Sequence, residues 1–399
     1  MLFFVGLVLV VIVLIHVYLY KRLVRDPLPA GRARVAGQIV AVLLGVLLPV
    51  TLIGVRNGHV TWLAWPGYLW LAVMFYLLVT LVVLEVPRLV VRTVWRAQGR
   101  RETAAALRKT TPATCGAELP DQNQAPGIDR RLLLARGAAI FAGLTAVGVT
   151  GYGMKTALGP PQLNRVQMPL TKLPRAMDQT RLVVVSDIHL GPLTGSHHVG
   201  RIVNLINSVN ADIVCVVGDL VDGSVTELGR FATPLAEIES RRGAYFVTGN
   251  HEYYSGFEPW IEEVTRLGVR PLRNERVELA GLDLAGVNDL GGDQFGDPAD
   301  FGKALGDRDT SRPVVLMAHQ PLAARQAAPF GVDLQVSGHT HGGQMAPFNL
   351  LVRLQQPVTS GFGEVDGVPV YVTNGAGFWG PPVRVGAPPQ VTVVELRTA

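Results

Sequence analysis

Long apolar runs near the start of this 399-residue chain limit how that part can fold. Residues 2–20, 36–55 and 68–86 are almost unbroken apolar sequence. Each run is close to the roughly 20 residues that a helix needs to cross the hydrocarbon core of a bilayer. A fourth run, residues 132–154, is rich in Gly and Ala but shows no polar face at helical spacing. We therefore expect residues 1–154 to form a transmembrane region of about four helices; the alternative for the fourth run is a helix buried in a soluble domain.

Charge is divided unevenly along the chain. Residues 1–154 hold 16 Lys and Arg against 6 Asp and Glu, whereas residues 155–399 hold 20 against 25. Loops rich in Lys and Arg stay in the cytoplasm, which puts residues 21–34 and the polar loop 87–131 inside and residues 56–67 outside. A multi-pass protein of the cell membrane follows, with everything after the fourth helix facing outward. The acidic second part lacks a basic footprint, so membrane lipids are expected partners and nucleic acid is not.

Five short apolar segments after residue 180 predict buried strands. They are residues 182–185, 213–217, 244–247, 314–317 and 334–336. Continuous apolar runs of this length are typical of strands buried on both faces. Apolar residues at helical spacing alternate with them in residues 199–209, 231–238 and 260–267. This alternation predicts a layered α/β domain over residues 181–399, with residues 155–180 as an extended linker.

Every predicted strand stops at side chains that can bind a metal ion. These side chains are Asp187, His189, Asp219, Asn250, His319, His339 and His341. Carboxylates, an amide and imidazoles without a thiolate suit Mn, Fe or Zn. Asp219, at a strand end, is the best placed to bridge two ions, and we expect Gly218, Gly249 and Gly338 to let the backbone turn sharply beside them. Two ions together could polarise a phosphoryl oxygen and activate a water.

The same residues carry a family resemblance. The blocks Asp187-x-His189, Gly218-Asp219-x-x-Asp222, Gly249-Asn250-His251-Glu252, His319 and Gly338-His339-x-His341 occur in this order. Together they resemble the motifs of the calcineurin-like metallophosphoesterases over roughly residues 181–396. The later Asn374-Gly375-Ala376-Gly377 and Pro381-Pro382-Val383-Arg384 are similar to the bacterial membrane-anchored branch of that family. The resemblance implies a layered two-sheet domain flanked by helices.

The resemblance also implies a role for each residue. One divalent ion would take Asp187, His189 and His341; the other would take Asn250, His319 and His339; Asp219 would bridge the two. His251 would not bind metal but would protonate the leaving oxygen or stabilise charge on it. Asp222 and Glu252 would orient the ligands.

Two functions and one uncertain segment remain open at this point. The first function is a membrane-anchored dinuclear phosphoesterase that hydrolyses a phosphomonoester or phosphodiester with a metal-activated water, a lipid-linked phosphate being one candidate substrate. The alternative is a binding-only membrane receptor or scaffold that keeps the fold. Residues 345–362 are apolar and follow the last motif directly. They are expected to form a core strand and turn, or else a hydrophobic lip for a bilayer or an acyl chain.

Overall fold

The computed structural model of the protein describes residues 2–56, 58–109 and 130–399. Within these ranges, four segments are helical, long and apolar enough to cross a membrane: Gly6–Arg25, Arg32–Val55, Thr61–Gln98 and Arg131–Leu158. They lie mainly in helices α1 (Leu2–Tyr20), α2 (Arg32–Arg56), α3 (Ala64–Lys109) and α4 (Arg130–Leu158). The expected N-terminal apolar helices are therefore present.

Helix α3 is longer than the apolar run that predicted it. It continues through Pro87 to Lys109, so the first half of the expected polar loop 87–131 is helical. Arg, Leu, Ala and Glu are good helix formers and outweigh the single proline. Of the remaining residues of that loop, 110–129 lie outside the described residues, and 130–131 begin α4.

The chain falls into two compact units. One comprises Met1–Val50 with Trp70–Thr150, and the other comprises Thr51–Leu69 with Gly151–Ala399. In the first unit, Arg22 forms ion pairs with Asp26 at 2.9 Å and with Glu85 at 2.8 Å. The second unit holds both sheets and also the ends of three candidate spans.

Two six-stranded sheets form the second unit's framework, in the orders β1-β12-β2-β3-β4-β5 and β10-β11-β9-β8-β7-β6. The strands are β1 (Gln162–Leu170), β2 (Thr180–Val185), β3 (Ile213–Val217), β4 (Ala244–Val247), β5 (Arg270–Pro271), β6 (Glu275–Leu279), β7 (Leu282–Gly286), β8 (Val314–Met317), β9 (Leu334–Ser337), β10 (Gly361–Val365), β11 (Val368–Val372) and β12 (Gln390–Thr398). The helices are α5 (Ser196–Asn207), α6 (Val225–Ala232), α7 (Asn250–Ser255), α8 (Phe257–Arg266), α9 (Phe301–Leu305), α10 (Ala324–Ala327) and α11 (Asn349–Val352).

Side-chain alternation divides the core into layers. Leu182 and Val184 of β2 join a buried cluster that also takes residues from the second sheet. Val183 and Val185 point the opposite way, into a cluster shared with helices such as α5. Successive side chains of a strand face opposite sides, so one apolar run fills two layers. The layered two-sheet α/β domain flanked by helices is thus confirmed, and all five strands predicted to end in ligands are present.

The expected linker, residues 155–180, is folded in part. Residues 162–170 form β1, which pairs in parallel with β12 at the edge of the first sheet. An edge position tolerates Pro169, which has no N–H to donate to a ladder. The two-sheet framework therefore begins before residue 181.

One predicted helix is shorter than its apolar pattern. Residues 231–238 were expected to be helical, but α6 ends at Ala232 and a 3-10 turn follows from Thr233 to Glu237. Pro234 at the start of that turn cannot donate a backbone hydrogen bond, which ends the α-helix.

The prediction of a core strand over residues 345–362 is wrong for most of that stretch. It contains the short helix α11, and a strand begins only at Gly361. Pro347 and Pro357 flank the helix and cannot donate to a sheet ladder. Its large apolar side chains are exposed: Phe348, Leu350, Leu351 and Leu354. We call these four residues the apolar lip.

Candidate metal centre

All seven side chains predicted to bind metal come together at one edge of the two sheets. They follow β2, β3 and β4 of the first sheet and β8 and β9 of the second. Within each sheet these strands are parallel neighbours, so their carboxyl ends meet. The structure therefore places the five sequence blocks around one site.

Five of these residues adopt a left-handed backbone. The φ angles are 52° for Asp187, 48° for His189, 52° for Asp219, 71° for His339 and 51° for His341. Non-glycine residues rarely take this conformation, and its cost of roughly 1–3 kcal/mol is usually found at functional sites. These five ligand positions are among eleven described non-glycine residues with a positive φ.

The neighbouring glycines serve a different purpose from the one expected. Only Gly218 has a left-handed φ, at 76°. Gly249 and Gly338 are needed for close approach. A Cβ on Gly249 would overlap the Asp219 carboxylate, and one on Gly338 would overlap the Asp187 carboxylate. A left-handed backbone is therefore present at one of the three glycines, and close approach requires the other two.

The first ligand group consists of Asp187, His189 and His341, all buried and close enough to hold one ion. The Nε2 atoms of His189 and His341 are 3.0 Å apart. The Nε2 atom of His341 is 3.3 Å from Oδ1 of Asp187. Two imidazole nitrogens facing each other at this distance are what a shared cation would draw together.

The second group consists of Asp219, His319 and His339, with Asn250 beside them. His319 donates from Nδ1 to the Val217 carbonyl at 2.9 Å, which leaves Nε2 facing Oδ2 of Asp219 at 3.1 Å. The Oδ1 atom of Asn250 is buried and has no hydrogen-bond partner among the described residues. A buried carbonyl oxygen without a partner is costly. The residues therefore fit a second cation that this oxygen would ligate.

Asp219 lies between the two groups. Its Oδ2 atom is 3.9 Å from His189 and 4.0 Å from His251, besides its contact with His319. Burial opposes its charge, but the surrounding imidazoles, His319 first, keep the pKa of Asp219 well below its usual range. The same pairing raises the pKa of His319 against the effect of burial. A carboxylate so placed can contact ions in both groups.

His251 and Asp222 form a pair at the mouth of the site. The Nδ1 atom of His251 is 2.6 Å from Oδ1 of Asp222, which also lies 2.9 Å from Nδ1 of His189. Burial alone would lower the pKa of His251, but Asp219 and Asp222 outweigh it and raise the pKa to about 9. The ring therefore holds a proton at neutral pH, with its Nε2 atom turned towards Asp219.

Glu252 holds the backbone that carries Asp219. It accepts hydrogen bonds from the N–H groups of Gly249 at 2.6 Å, Asp219 at 2.9 Å and Leu220 at 2.7 Å. Burial and the Asp219 carboxylate raise the pKa of Glu252 to about 7. The predicted orienting role of Glu252 corresponds to these three bonds.

Sequence reasoning attached no role to Arg384, which is fully buried behind His341. It donates to the carbonyls of His341 at 2.8 Å, Asn374 at 2.9 Å and Gly377 at 3.0 Å, and its Nη2 atom is 3.1 Å from Nδ1 of His341. Burial and this cation lower the pKa of His341, so its ring is neutral, as a metal ligand must be. The only signal was the Pro381–Arg384 motif, which alone gives no partner.

We expect Gly249→Ala to remove metal binding while leaving most of the fold. The added Cβ would lie 2.5 Å from the Asp219 backbone nitrogen and would overlap the Asp219 carboxylate. Overpacking of this kind costs about 1–3 kcal/mol. Metal content and thermal unfolding measure both effects. Gly200→Ala is the matched control, because among the described residues no atom outside its own stretch of helix lies within 4 Å of the added Cβ. In helix α5 this change should raise the free energy of unfolding by about 0.5–1 kcal/mol. Full metal content in Gly249→Ala would contradict the close approach.

Comparisons with known proteins agree with this geometry. A family model described as "Calcineurin-like phosphoesterase" matches residues 180–343. A "Transmembrane protein with metallophosphoesterase domain" of Danio rerio is 38% identical, over 64% of this chain and 62% of that protein. Its Bos taurus counterpart is 36% identical, over 68% and 65%. An "Uncharacterized metallophosphoesterase" of Helicobacter pylori is 37% identical, over 63% and 68%.

The chain matches less than two thirds of the length of the two vertebrate relatives and slightly more of the bacterial one. The ordered motifs, the two-sheet fold and these similarities agree with one another. The chain belongs to the calcineurin-like metallophosphoesterase family.

Proposed function

We propose that this protein is a membrane-anchored phosphoesterase that hydrolyses a phosphomonoester or phosphodiester at a dinuclear metal centre. The observation that carries the proposal is the buried, unpartnered Oδ1 atom of Asn250 beside two groups of converging carboxylates and imidazoles. The proposed ligands are Asp187, His189 and His341 for one ion, Asn250, His319 and His339 for the other, with Asp219 bridging.

The donor set favours Mn, Fe or Zn over Mg, because imidazole nitrogens outnumber oxygens. When bound, two such ions would polarise a phosphoryl oxygen and supply a nucleophile by lowering the pKa of water. Asp222 would accept from Nδ1 of His189 and hold that ring in the orientation that binding requires. Arg384 would fix the backbone that carries His341, because it donates to the His341 carbonyl.

His251 would donate the proton that the leaving oxygen needs. Its Nδ1 atom is engaged by Asp222, which directs Nε2 into the site. Its side chain is 17% exposed, so a substrate oxygen can reach it. The hydrogen bond to Asp222 and the charge of Asp222 raise the pKa of His251, which favours the protonated ring.

A lipid-linked phosphate is the substrate class that the membrane setting favours, and we propose that the site faces outside the cytoplasm. The loop of residues 56–67, predicted outside because Arg56 is its only Lys or Arg, lies almost entirely in the same compact unit as the two sheets. No observation favours the binding-only alternative, since every ligand position is occupied by a side chain that can bind metal.

Metal removal tests the proposal in the full chain. A chelator should abolish hydrolysis of bis(p-nitrophenyl) phosphate and of p-nitrophenyl phosphate, and Mn, Fe or Zn should restore it far better than Mg. Metal addition should raise the free energy of unfolding, by about 4 kcal/mol at an ion concentration 1,000 times the Kd. Folded protein that binds two ions and turns over neither ester would contradict the enzymatic proposal.

A further inference from the structure

The apolar lip is an unusual surface for a domain that otherwise buries its apolar side chains well. Leu354 is 84% exposed, and Phe348, Leu350 and Leu351 are each about half exposed. The four residues lie within seven consecutive positions and form one patch around α11. Contiguous exposed apolar patches mark surfaces that contact a membrane or another protein.

Exposed aromatic residues in the same compact unit mark the level of a membrane–water interface. Trp62 and Trp65 are 73% and 43% exposed at the start of the candidate span Thr61–Gln98. Tyr152 is 64% exposed near the end of the span Arg131–Leu158. Trp and Tyr are enriched at this level because their rings are apolar and their N–H or O–H groups are wet.

One loop of the catalytic unit contacts both span ends. The backbone N–H of Arg384 donates to the Gly153 carbonyl of α4 at 2.9 Å, and Val383 packs against the same glycine. Gly380 lies against the ring of Tyr68, near the start of α3. Residues 379–385 therefore contact the ends of two candidate spans.

The apolar lip is joined to this loop by backbone hydrogen bonds. The Ala346 N–H donates to Val385 at 3.0 Å, and the Val385 N–H donates to Gln344 at 2.8 Å. Phe348, the first residue of the lip, thus follows Ala346 by two residues. Ala346 is hydrogen-bonded to the loop that contacts α4. Trp379, 57% exposed, lies in the same loop.

We propose that the apolar lip and Trp379 form a docking surface for the bilayer that the spans cross, immersed at the boundary between headgroups and acyl chains. The hydrogen-bonded connection from the lip to a loop that contacts the ends of two candidate spans favours the bilayer over a protein partner. Arg353, exposed within the lip, is placed for anionic headgroups.

This surface adjoins the metal centre. The ring of Trp379 is 5.9 Å from that of His251, and Gln344 accepts from the Trp379 N–H at 3.0 Å. A phosphoester with an apolar tail could therefore reach the centre without leaving the membrane. This consequence rests on the proposed function; the docking surface itself does not.

Polarity-sensitive labelling of the full chain tests the docking surface. Cys115, outside the described residues, is replaced by Ser, while buried Cys215 will not react. Leu350→Cys and Leu354→Cys are labelled separately with an NBD fluorophore in nanodiscs of phosphatidylcholine and phosphatidylglycerol. Both labels should emit at shorter wavelength than in water and lose most of their fluorescence when spin-labelled lipid is included.

Two control positions give the quenching expected for a label in lipid and for a label in water. A label at Leu144→Cys, exposed within a candidate span, should be quenched by the lipid. A label at Asp307→Cys, 85% exposed and ahead of β8, at the opposite end of the sheet from the ligands, should not. Lip labels that behave like Asp307→Cys would overturn the proposal. A blue-shifted emission without lipid quenching would also overturn it, because it would indicate a protein partner or a second copy. Size-exclusion profiles and circular dichroism exclude misfolding, and none of these readouts requires activity.

Discussion

Asp219→Ala is expected to reduce phosphoester hydrolysis by at least about 10³-fold, more than the loss of one transition-state hydrogen-bond donor usually costs. The Oδ2 atom of Asp219 faces His319 of the second ligand group and lies 3.9 Å from His189 of the first. Its removal would deprive the two proposed ions of their shared ligand. Bound metal should therefore fall below two ions per chain.

Metal content measured by mass spectrometry, together with turnover of bis(p-nitrophenyl) phosphate, checks this expectation. Asp219→Asn keeps the volume and separates a lost charge from a cavity. Asp307→Ala, an exposed Asp remote from the ligands, is the matched control and should leave both quantities unchanged. Two tightly bound ions and near-normal turnover in Asp219→Asn would refute the bridging role.

The framework of this site could be predicted because its signals are local. An apolar run such as Ile213–Val217 predicts a buried strand, and the polar residue that ends it, Asp219, lies at the carboxyl end whatever the rest of the chain does. The order of the five blocks then gave the family. The residues alone did not predict that strands from two separate sheets would meet at the site. The family resemblance implied that arrangement.

Other features depend on contacts between distant residues, which periodicity does not report. Arg384 is 43 positions from His341 and gives no sign in sequence that it is buried behind that ring. The close approach that requires Gly249 exists only once β3 and β4 lie side by side. The apolar lip resembled a core strand because hydropathy measures affinity for any apolar medium, whether a protein interior or a bilayer.

His251→Gln is expected to lower kcat by about 10²–10⁴-fold for an alkyl phosphoester. An alkoxide leaves poorly without a proton, and the Nε2 atom of His251 is the group held ready to supply one. For a p-nitrophenyl ester the loss should be much smaller, because nitrophenolate is stable as an anion. The contrast between the two leaving groups separates proton donation from damage to the metal centre, which would affect both esters equally. His197→Gln, an exposed histidine of α5, is the control.

Asp222→Asn gives an independent readout of the same role. Asp222 and Asp219 together raise the pKa of His251 to about 9, so removing the charge of Asp222 must lower that pKa. Activity that needs protonated His251 is then lost at a lower pH, and the alkaline limb of kcat/KM should move towards neutrality. The rate below that limb should fall by about 10–100-fold, because Asp222 also orients His189. An alkaline limb that stays in place in Asp222→Asn, with equal losses for alkyl and nitrophenyl esters in His251→Gln, would assign His251 to charge stabilisation instead of proton transfer.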